Sequence, residues 1–330
     1  CRDNCPDAPG WNPGWIRPPP VRLGGTPDGS APLGCTWVEP RMDLGPPRML
    51  PGCPIGCFSE PTAPLPAYSR TSHRPQGQIT RGKTAPNRLR RVDNFICQYD
   101  PGLLRQNGAE RSFYVDLGYG AEPFTTLESA ARLRRFNPDL PVLGVEIDPE
   151  RVERAVPFAD ENAFFRLGGF NVPLQPGESI RLIRAMNVLR QYSEAEFLPA
   201  VVQMGGSLTP GGLLLEGTSD PFGRIMVINL IRRTLEGSLV MEGLLFSTNF
   251  RWGFEPGVFQ PVLPKNFIHR MLPGEVIYDF MAAWKQAARV TIGLRPLGLR
   301  QWFVASAQAL ADLGWPIDPR RRLLQQGYLL

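Results

Sequence analysis

The chain is short of lysine, of histidine and of long apolar runs. Three lysines stand beside 33 arginines in 330 residues. That imbalance reads as the coding bias of a GC-rich genome before it reads as phosphate recognition. With only His73 and His269 present, no His/Cys/Asp cluster argues for a metal. No apolar run approaches the roughly 18 residues that a membrane span needs. No basic-plus-apolar signal peptide opens the sequence, so the expectation is a soluble cytoplasmic protein. A phosphate loop of the form G-x4-G-K-[ST] is also missing, which sets aside the common nucleoside-triphosphate cradle.

What is present is unevenly spread. Residues 1–100 hold 12 Lys+Arg and 8 Asp+Glu, a net of +4, whereas residues 101–330 hold 24 and 23, a net of +1. The sequence pI near 9.0 therefore belongs mostly to the N-terminal third. A near-neutral remainder gives little support to a nucleic-acid groove, whose affinity rests on many phosphate contacts.

Residues 1–80 contain 17 of the 36 prolines and five of the six cysteines. "WIRPPP", "GTPDGSAPLG" and "EPTAPLPAYS" show neither helical nor strand periodicity. Proline fixes the backbone and removes donors, so this segment reads as a disordered or non-native leader. The chain begins at Cys1, which suggests a fragment or a start placed upstream of the true one. Cys1–Cys5 and Cys53–Cys57 are C-x3-C pairs, less apt for zinc than C-x2-C knuckles, and are expected to be scattered thiols.

Order is expected from "RGKTAPNRLRRVDNFICQYD", 81–100. Arg88, Leu89, Val92, Phe95 and Ile96 recur at helical spacing, with Asn87 as the cap. Residues 81–110 are thus a leading helix, 111–220 a cofactor-binding core, and 221–330 a hairpin with further helices. In the core, strands "SFYVDLG", "PVLGVEID", "AFFRLGG", "SIRLIRAMNVLRQY" (running into a turn) and "GGLLLEGTS" alternate with helices "FTTLESAARLRRF", "PERVERAVPFA" and "SEAEFLPAVVQMGGSL". Pro123 suits the first helical turn of one; Ser193 and Glu196 form a capping box for another. Such alternation predicts an α/β fold with a doubly wound, mostly parallel sheet. "RIMVINLIRR" and "SLVMEGLLFSTNF", joined by "TLEG", predict an antiparallel hairpin, giving seven strands. Ligands bind outside the carboxyl ends of such strands, where the loops 116–123, 146–149, 168–172, 184–192 and 216–222 gather.

The first of those loops carries the sharpest pattern. In "FYVDLGYGAEPFTTLE", 113–128, a buried strand ends at Asp116, and Gly118 and Gly120 follow one residue apart. A G-x-G-x-x-G dinucleotide fingerprint needs a small residue at 123, and Pro123 stands there. Asp116-Leu-Gly118-Tyr-Gly120 instead resembles the first motif of class I, Rossmann-like methyltransferases that use S-adenosylmethionine. Glu146 ends the next strand, where a carboxylate can accept both ribose hydroxyls. "SLTPGGLLLEG", 207–217, looks like the turn before that superfamily's fifth strand. Together with "TAPNRLRRVDNF", "RAMNVLRQY" and "PKNFIHRMLPGE", these pieces resemble a little-characterised bacterial group of such enzymes across about 81–285. Two features depart from the pattern. Glu122 replaces the third motif glycine, and "FFRLGGF" lacks the acid that usually meets the adenine amino group.

The resemblance implies S-adenosylmethionine as cofactor. Asp116, Gly118, Tyr119, Gly120, Glu146, Ile147, Gly169, Phe170, Asn187 and Arg88 are the expected cofactor contacts. Asp116 either orders the loop or receives the ligand's ammonium, and Gly168–Asn171 stand in for the missing acid. Tyr119 either covers the sulfonium or sits exposed on the loop. Catalytic candidates are Asn187, Arg184, His269 and Tyr192. Asn187 orients a substrate or serves the turn; Arg184 grips a carboxylate or pairs with Glu216; His269 is a base or structural. Asn187 aside, the leading helix offers Asn87, Arg88 and Arg91 to the cofactor carboxylate. "GEVIYDFMAAWKQAARV" and "RQWFVASAQALADLGW" are amphipathic helices expected to pack on the sheet and shape the acceptor pocket. A small-molecule acceptor is favoured. The alternatives are an RNA methyltransferase, because "RFNPDLPVLGVEID" resembles a tRNA guanine methyltransferase segment, and a scaffold blind to the cofactor.

Overall fold

The computed structural model describes residues 74–82, 84–105 and 111–330. The leader up to His73, including both C-x3-C pairs, lies outside the described residues. Among the described residues no helix is long and apolar enough to cross a membrane.

The chain opens with helix α1 (Arg90–Tyr99) and the short α2 (Pro101–Arg105). The alternation follows as β1 (Arg111–Leu117), α3 (Phe124–Leu133), β2 (Val142–Glu146), α4 (Pro149–Ala155) and β3 (Ala163–Leu167). Then come β4 (Glu178–Met186), α5 (Glu194–Gly206), β5 (Leu208–Ser219), β6 (Ile225–Arg233) and β7 (Leu239–Thr248). Helices α6 (Lys265–Ile268), α7 (Val276–Val290), α8 (Leu299–Asp312) and α9 (Arg321–Gln325) precede β8 (Tyr328–Leu329).

The strands form one sheet in the order β3-β2-β1-β4-β5-β6-β7-β8. Pairings from β3 to β5 are parallel, and those from β5 to β8 are antiparallel. The sheet therefore has eight strands, not seven. The added β8 is two residues long and pairs Leu329 with Phe246 and Tyr328 with Ser247. A strand that short leaves no period in the sequence. The β6–β7 hairpin is present, and β5 also turns straight into β6, so the far half of the sheet is a meander. Asp220 makes that turn: its carboxylate accepts from the Phe222 and Ile225 amides at 3.1 and 2.9 Å.

Apolar side chains cover both faces. Leu182, Met186, Leu213 and Leu215 meet α1, α3 and the C-terminal turn on one face; Ile183, Ala185 and Leu214 meet α5, α7 and α8 on the other. Trp284, Phe246, Phe254 and Phe303 form an aromatic cluster there, with ring centroids 5.0–6.0 Å apart. The expected capping box holds on α5, where Glu196 accepts from the Ser193 amide at 2.7 Å. The cap of α1 differs from expectation. Leu89 takes that position, and Asn87 sits at φ 60°, its amide donating to the Glu128 carboxylate at 2.8 and 2.9 Å.

Candidate functional site

The strand order reverses at β1 and β4, so the loops after their carboxyl ends flank a crevice. The β1 loop is a tight one. Gly118 and Gly120 have φ of +72° and +98°, a region costly to side chains. A Cβ at Gly120 would sit 2.6 Å from the Gly82 carbonyl oxygen, and one at Gly118 2.8 Å from a Val188 methyl. Across the crevice Glu146 faces this loop. Its Oε2 accepts from the Gly120 amide at 3.0 Å, and Oε1 from the Ile147 amide at 3.0 Å. Arg151 Nη1 is 3.6 Å from Oε1. Burial pushes the Glu146 pKa up, and the Gly120 and Ile147 amides and Arg151 pull it back.

Asp116 registers with Gly144, two residues before Glu146, so both carboxylates project to one face of the sheet, with Asp116 reaching toward β4. Its carboxylate accepts from Thr125 and Thr126 hydroxyls, both at 2.8 Å. Arg184 Nε donates to its Oδ1 at 3.1 Å, and Nη2 lies 2.8 Å from Oδ2. Asp116 thus orders the loop and the start of α3. Arg184 is fully buried, and its remaining donors go to Asp93, the Ser129 hydroxyl and the Thr125 carbonyl. Its partners are Asp116 and Asp93, not Glu216. In a strand successive side chains alternate faces. Arg184 registers with Leu215, and Glu216 with Ala185, so Arg184 and Glu216 project to opposite faces of the sheet.

The β4 loop turns at Asn187, whose φ is 62°. Its side chain accepts from the Ser219 amide at 2.9 Å and donates to the Ser219 hydroxyl at 3.2 Å. Arg88 Nε reaches the same hydroxyl at 3.1 Å and the Asp220 carbonyl at 3.0 Å. Asn187, Arg88 and Ser219 are therefore one network on the crevice wall. Arg91 lies elsewhere, donating to the Ser247 hydroxyl at 2.7 Å and covering the Tyr328 ring. Tyr119 is not exposed on the loop. Its ring is buried, edge-on to Phe165 at 5.6 Å.

Residues 74–82 cross this crevice as a strap, which the sequence reading missed. The Phe170 amide donates to the Gln76 carbonyl at 2.9 Å. Asn171 Oδ1 accepts from the Gln76 amide at 2.9 Å, and its Nδ2 donates to the Arg74 carbonyl at 3.0 Å. The Gln78 amide donates to the Tyr192 hydroxyl. Arg151 Nη2 donates to the Thr80 carbonyl at 2.8 Å, and the Ala121 amide to the Gly82 carbonyl at 2.8 Å. The available signal was the end of the proline density at Pro75, five residues before the expected boundary.

Two clefts result. A narrow one lies between the strap and Glu146, Ile147, Gly169, Phe170 and Tyr192. A broad one opens beside it, with Gly118, Gly120, Asn187 and Arg88 on one wall and Trp252, Val258, Pro261 and Val262 on another. The far wall comes from the segment after β7, not from α7 and α8, which pack into the core. His269 is exposed at the end of α6 and lines neither cleft.

No family model matches the chain, and no curated protein matches it. Among solved structures it is similar to the N-methyltransferase NodS from Bradyrhizobium japonicum WM9, at 18% identity and TM-score 0.28, over 40% of this chain and 68% of that one. The citrinin polyketide synthase CMeT domain matches at 18% identity and TM-score 0.33, over 41% and 36%. Magnesium protoporphyrin IX methyltransferase (ChlM) from Synechocystis PCC 6803 with bound SAH matches at 14% and 0.29, over 39% and 53%. The chain spans only 28% of a pericyclic reaction enzyme and 29% of LepI in complex with SAM. Likenesses this partial carry no argument about activity, which has to be read from the geometry of the crevice.

Proposed function

We propose that the chain is an S-adenosylmethionine-dependent methyltransferase acting on a small molecule. One observation carries the reading. A carboxylate at the end of β2, Glu146, faces a side-chain-free turn at the end of β1, with the Gly120 amide 3.0 Å from its Oε2. The turn stands where the strand order reverses, the usual ligand crevice of such sheets, and Glu146 ends the neighbouring strand.

The residues fit the cofactor in kind. Glu146 would take the ribose hydroxyls by charge-assisted hydrogen bonds. Gly118 and Gly120 would let the methionine portion lie against main chain, and Arg88 would face its carboxylate. Ile147, Phe170 and Tyr192 would flank the base. When bound, the cofactor supplies a methyl group on a sulfonium, open to in-line displacement. The chain's own task is then to hold the acceptor in line and exclude water. Asn187, fixed by Ser219, would orient an acceptor in the broad cleft. Trp252, Val258, Pro261 and Val262 give that cleft an apolar wall suited to a small organic molecule. Arg184 and His269 are given no contact with the reacting groups: one has spent its donors inside the core, and the other stands outside the clefts.

Calorimetric titration with S-adenosylhomocysteine tests this. Binding is expected for the wild type and a marked loss for Glu146→Ala. Absence of heat and of any thermal shift at millimolar ligand would favour the scaffold reading instead.

A further inference from the structure

The superfamily pattern expects an acid at the end of the third strand, and this chain has Gly168 and Gly169 there. The structure puts a different object in that place. The Gln76 carbonyl and amide are hydrogen-bonded to Phe170 and Asn171 at 2.9 Å each. A Cβ at Gly169 would collide with the Gln76 carbonyl oxygen, so the glycine is what lets the strap approach. Gly77 at φ +138° would place a Cβ 3.1 Å from the Tyr192 hydroxyl and 3.4 Å from an Ile147 methyl. The strap thus lies across the apolar slot made by Ile147, Phe170 and Tyr192, and its Gly82 end rests on the Gly120 turn, where the Ala121 amide donates to the Gly82 carbonyl at 2.8 Å. Under it Glu146 is only 1% exposed. A nucleoside reaches that carboxylate only after the strap lifts.

We infer that residues 76–80 are the missing wall of the nucleoside pocket. They open to admit the purine nucleoside end of the cofactor, and on closing they meet its edge with the Gly77 and Ile79 backbone groups in place of the third-strand acid, the Gln76 and Gln78 amides and carbonyls being held by Asn171, Phe170, Tyr192 and Gln191. This rests on the methyltransferase reading. The strap is anchored at both ends by hydrogen bonds to the sheet tips and crossed by glycines at Gly77 and Gly82, both at positive φ. Closure therefore needs few side chains to reorder. Gln191 Nε2, donating to the Gln78 carbonyl at 3.1 Å, ties the closed strap to the β4 loop that carries Asn187.

Hydrogen exchange on the full chain, with and without S-adenosylhomocysteine, tests the inference. Amides of residues 76–82 and 169–171 should exchange about tenfold more slowly with ligand, as local opening is suppressed. Asn171→Ala removes two strap hydrogen bonds and should weaken S-adenosylhomocysteine by about tenfold; Gly77→Val should do so at least as strongly. Unchanged exchange across 76–82, with both variants binding like the wild type, overturns the inference and leaves the methyltransferase reading intact. Tighter binding by the variants also overturns it, because the strap would then be a plug competing with the ligand. If the wild type binds no S-adenosylhomocysteine, both readings fall together.

Discussion

Arg184 Nη2 lies 2.8 Å from Asp116 Oδ2, and its Nη1 lies 2.6 Å from Asp93 Oδ1, with all three side chains sealed from solvent. One guanidinium therefore joins β4 to β1 and to α1. Arg132 supports the far side of Asp93 at 2.7 Å. The acidic end of β1 is held from below by this knot, and Glu146 faces the glycine turn from the crevice side. Two carboxylates one strand apart thus have separate tasks, one building the loop and the other facing the crevice.

Removing the guanidinium should unmake the fold before it changes any chemistry. Arg184→Met leaves Asp116 buried with two threonine hydroxyls but no cation, and Asp93 with Arg132 and Ser129 alone, and should lower unfolding stability by about 3–5 kcal/mol. Arg184→Lys keeps a charge but loses the planar fork and should fall in between. Urea denaturation checks this. An Arg184→Met protein within about 0.5 kcal/mol of wild type, yet impaired in substrate affinity, would return Arg184 to a binding role.

The β1 turn should tolerate no side chain. Gly118→Val demands φ near +72° of a β-branched residue and meets a Val188 methyl 2.8 Å from its Cβ. A fold cost of about 1–3 kcal/mol is expected, with S-adenosylhomocysteine affinity down by at least about a hundredfold, roughly 3 kcal/mol. Calorimetry on the folded variant reads this directly, and unchanged affinity would refute the placement of the cofactor at this turn.

Much of the architecture was legible because period and punctuation agreed: the strand end at Glu146, the α5 cap at Ser193 and the β6–β7 turn fall where expected, and β1 ends one residue past Asp116, at Leu117. The buried polar knot was not. On α3 Phe124, Leu127 and Ala131 fall at helical intervals, as an apolar buried face would. The structure instead leaves Phe124 41% exposed and buries Thr125, Thr126 and Ser129. A hydroxyl reads as solvent-facing until its carboxylate is known, and Asp93 and Asp116 are far apart in sequence. The facing of Arg184 was equally hidden. Strands covered on both faces are apolar at every position, so nothing marks which side an isolated charge takes. The strap was masked by its neighbour, since a Gly- and Gln-rich run next to a proline-dense leader looks like more leader.

Asn187 should split cleanly between backbone and side chain. Its φ of 62° favours Asn or Gly, so Asn187→Gly keeps the turn while losing both Ser219 contacts. Methyl transfer should fall by about ten- to a hundredfold, a loss of roughly 1.4–2.8 kcal/mol in the transition state, with S-adenosylhomocysteine affinity within about threefold of wild type. Asn187→Ala adds backbone strain of about 1–2 kcal/mol and should show the same rate with lower stability. Equal rates in Asn187→Gly and wild type would confine Asn187 to the turn.

Glu216 gives the fold a pH dependence of opposite sense to ordinary acid unfolding. It is 1% exposed on the α5–α7 face of the sheet, and its Oε2 accepts from Asn229 Nδ2 at 2.7 Å. Asn229 is in turn hydrogen-bonded to Asn266 at 3.1 Å. Burial pushes the Glu216 pKa up to about 8, against the pull of the Asn229 amide. The folded protein thus keeps this proton at neutral pH, while the unfolded chain releases it above its ordinary value of 4.5. Between those values the unfolded state binds fewer protons, so this group's contribution is whole below about pH 4.5 and declines as pH rises to about 8. The slope from one proton is about 1.4 kcal/mol per pH unit. Glu216→Gln preserves the amide contact without the titration. It should match wild type near pH 5, exceed it in stability by a few kcal/mol at about pH 8.5, and flatten the profile between. Denaturant midpoints across that range decide the matter: parallel profiles for the two proteins would mean that Glu216 is ionised in the core.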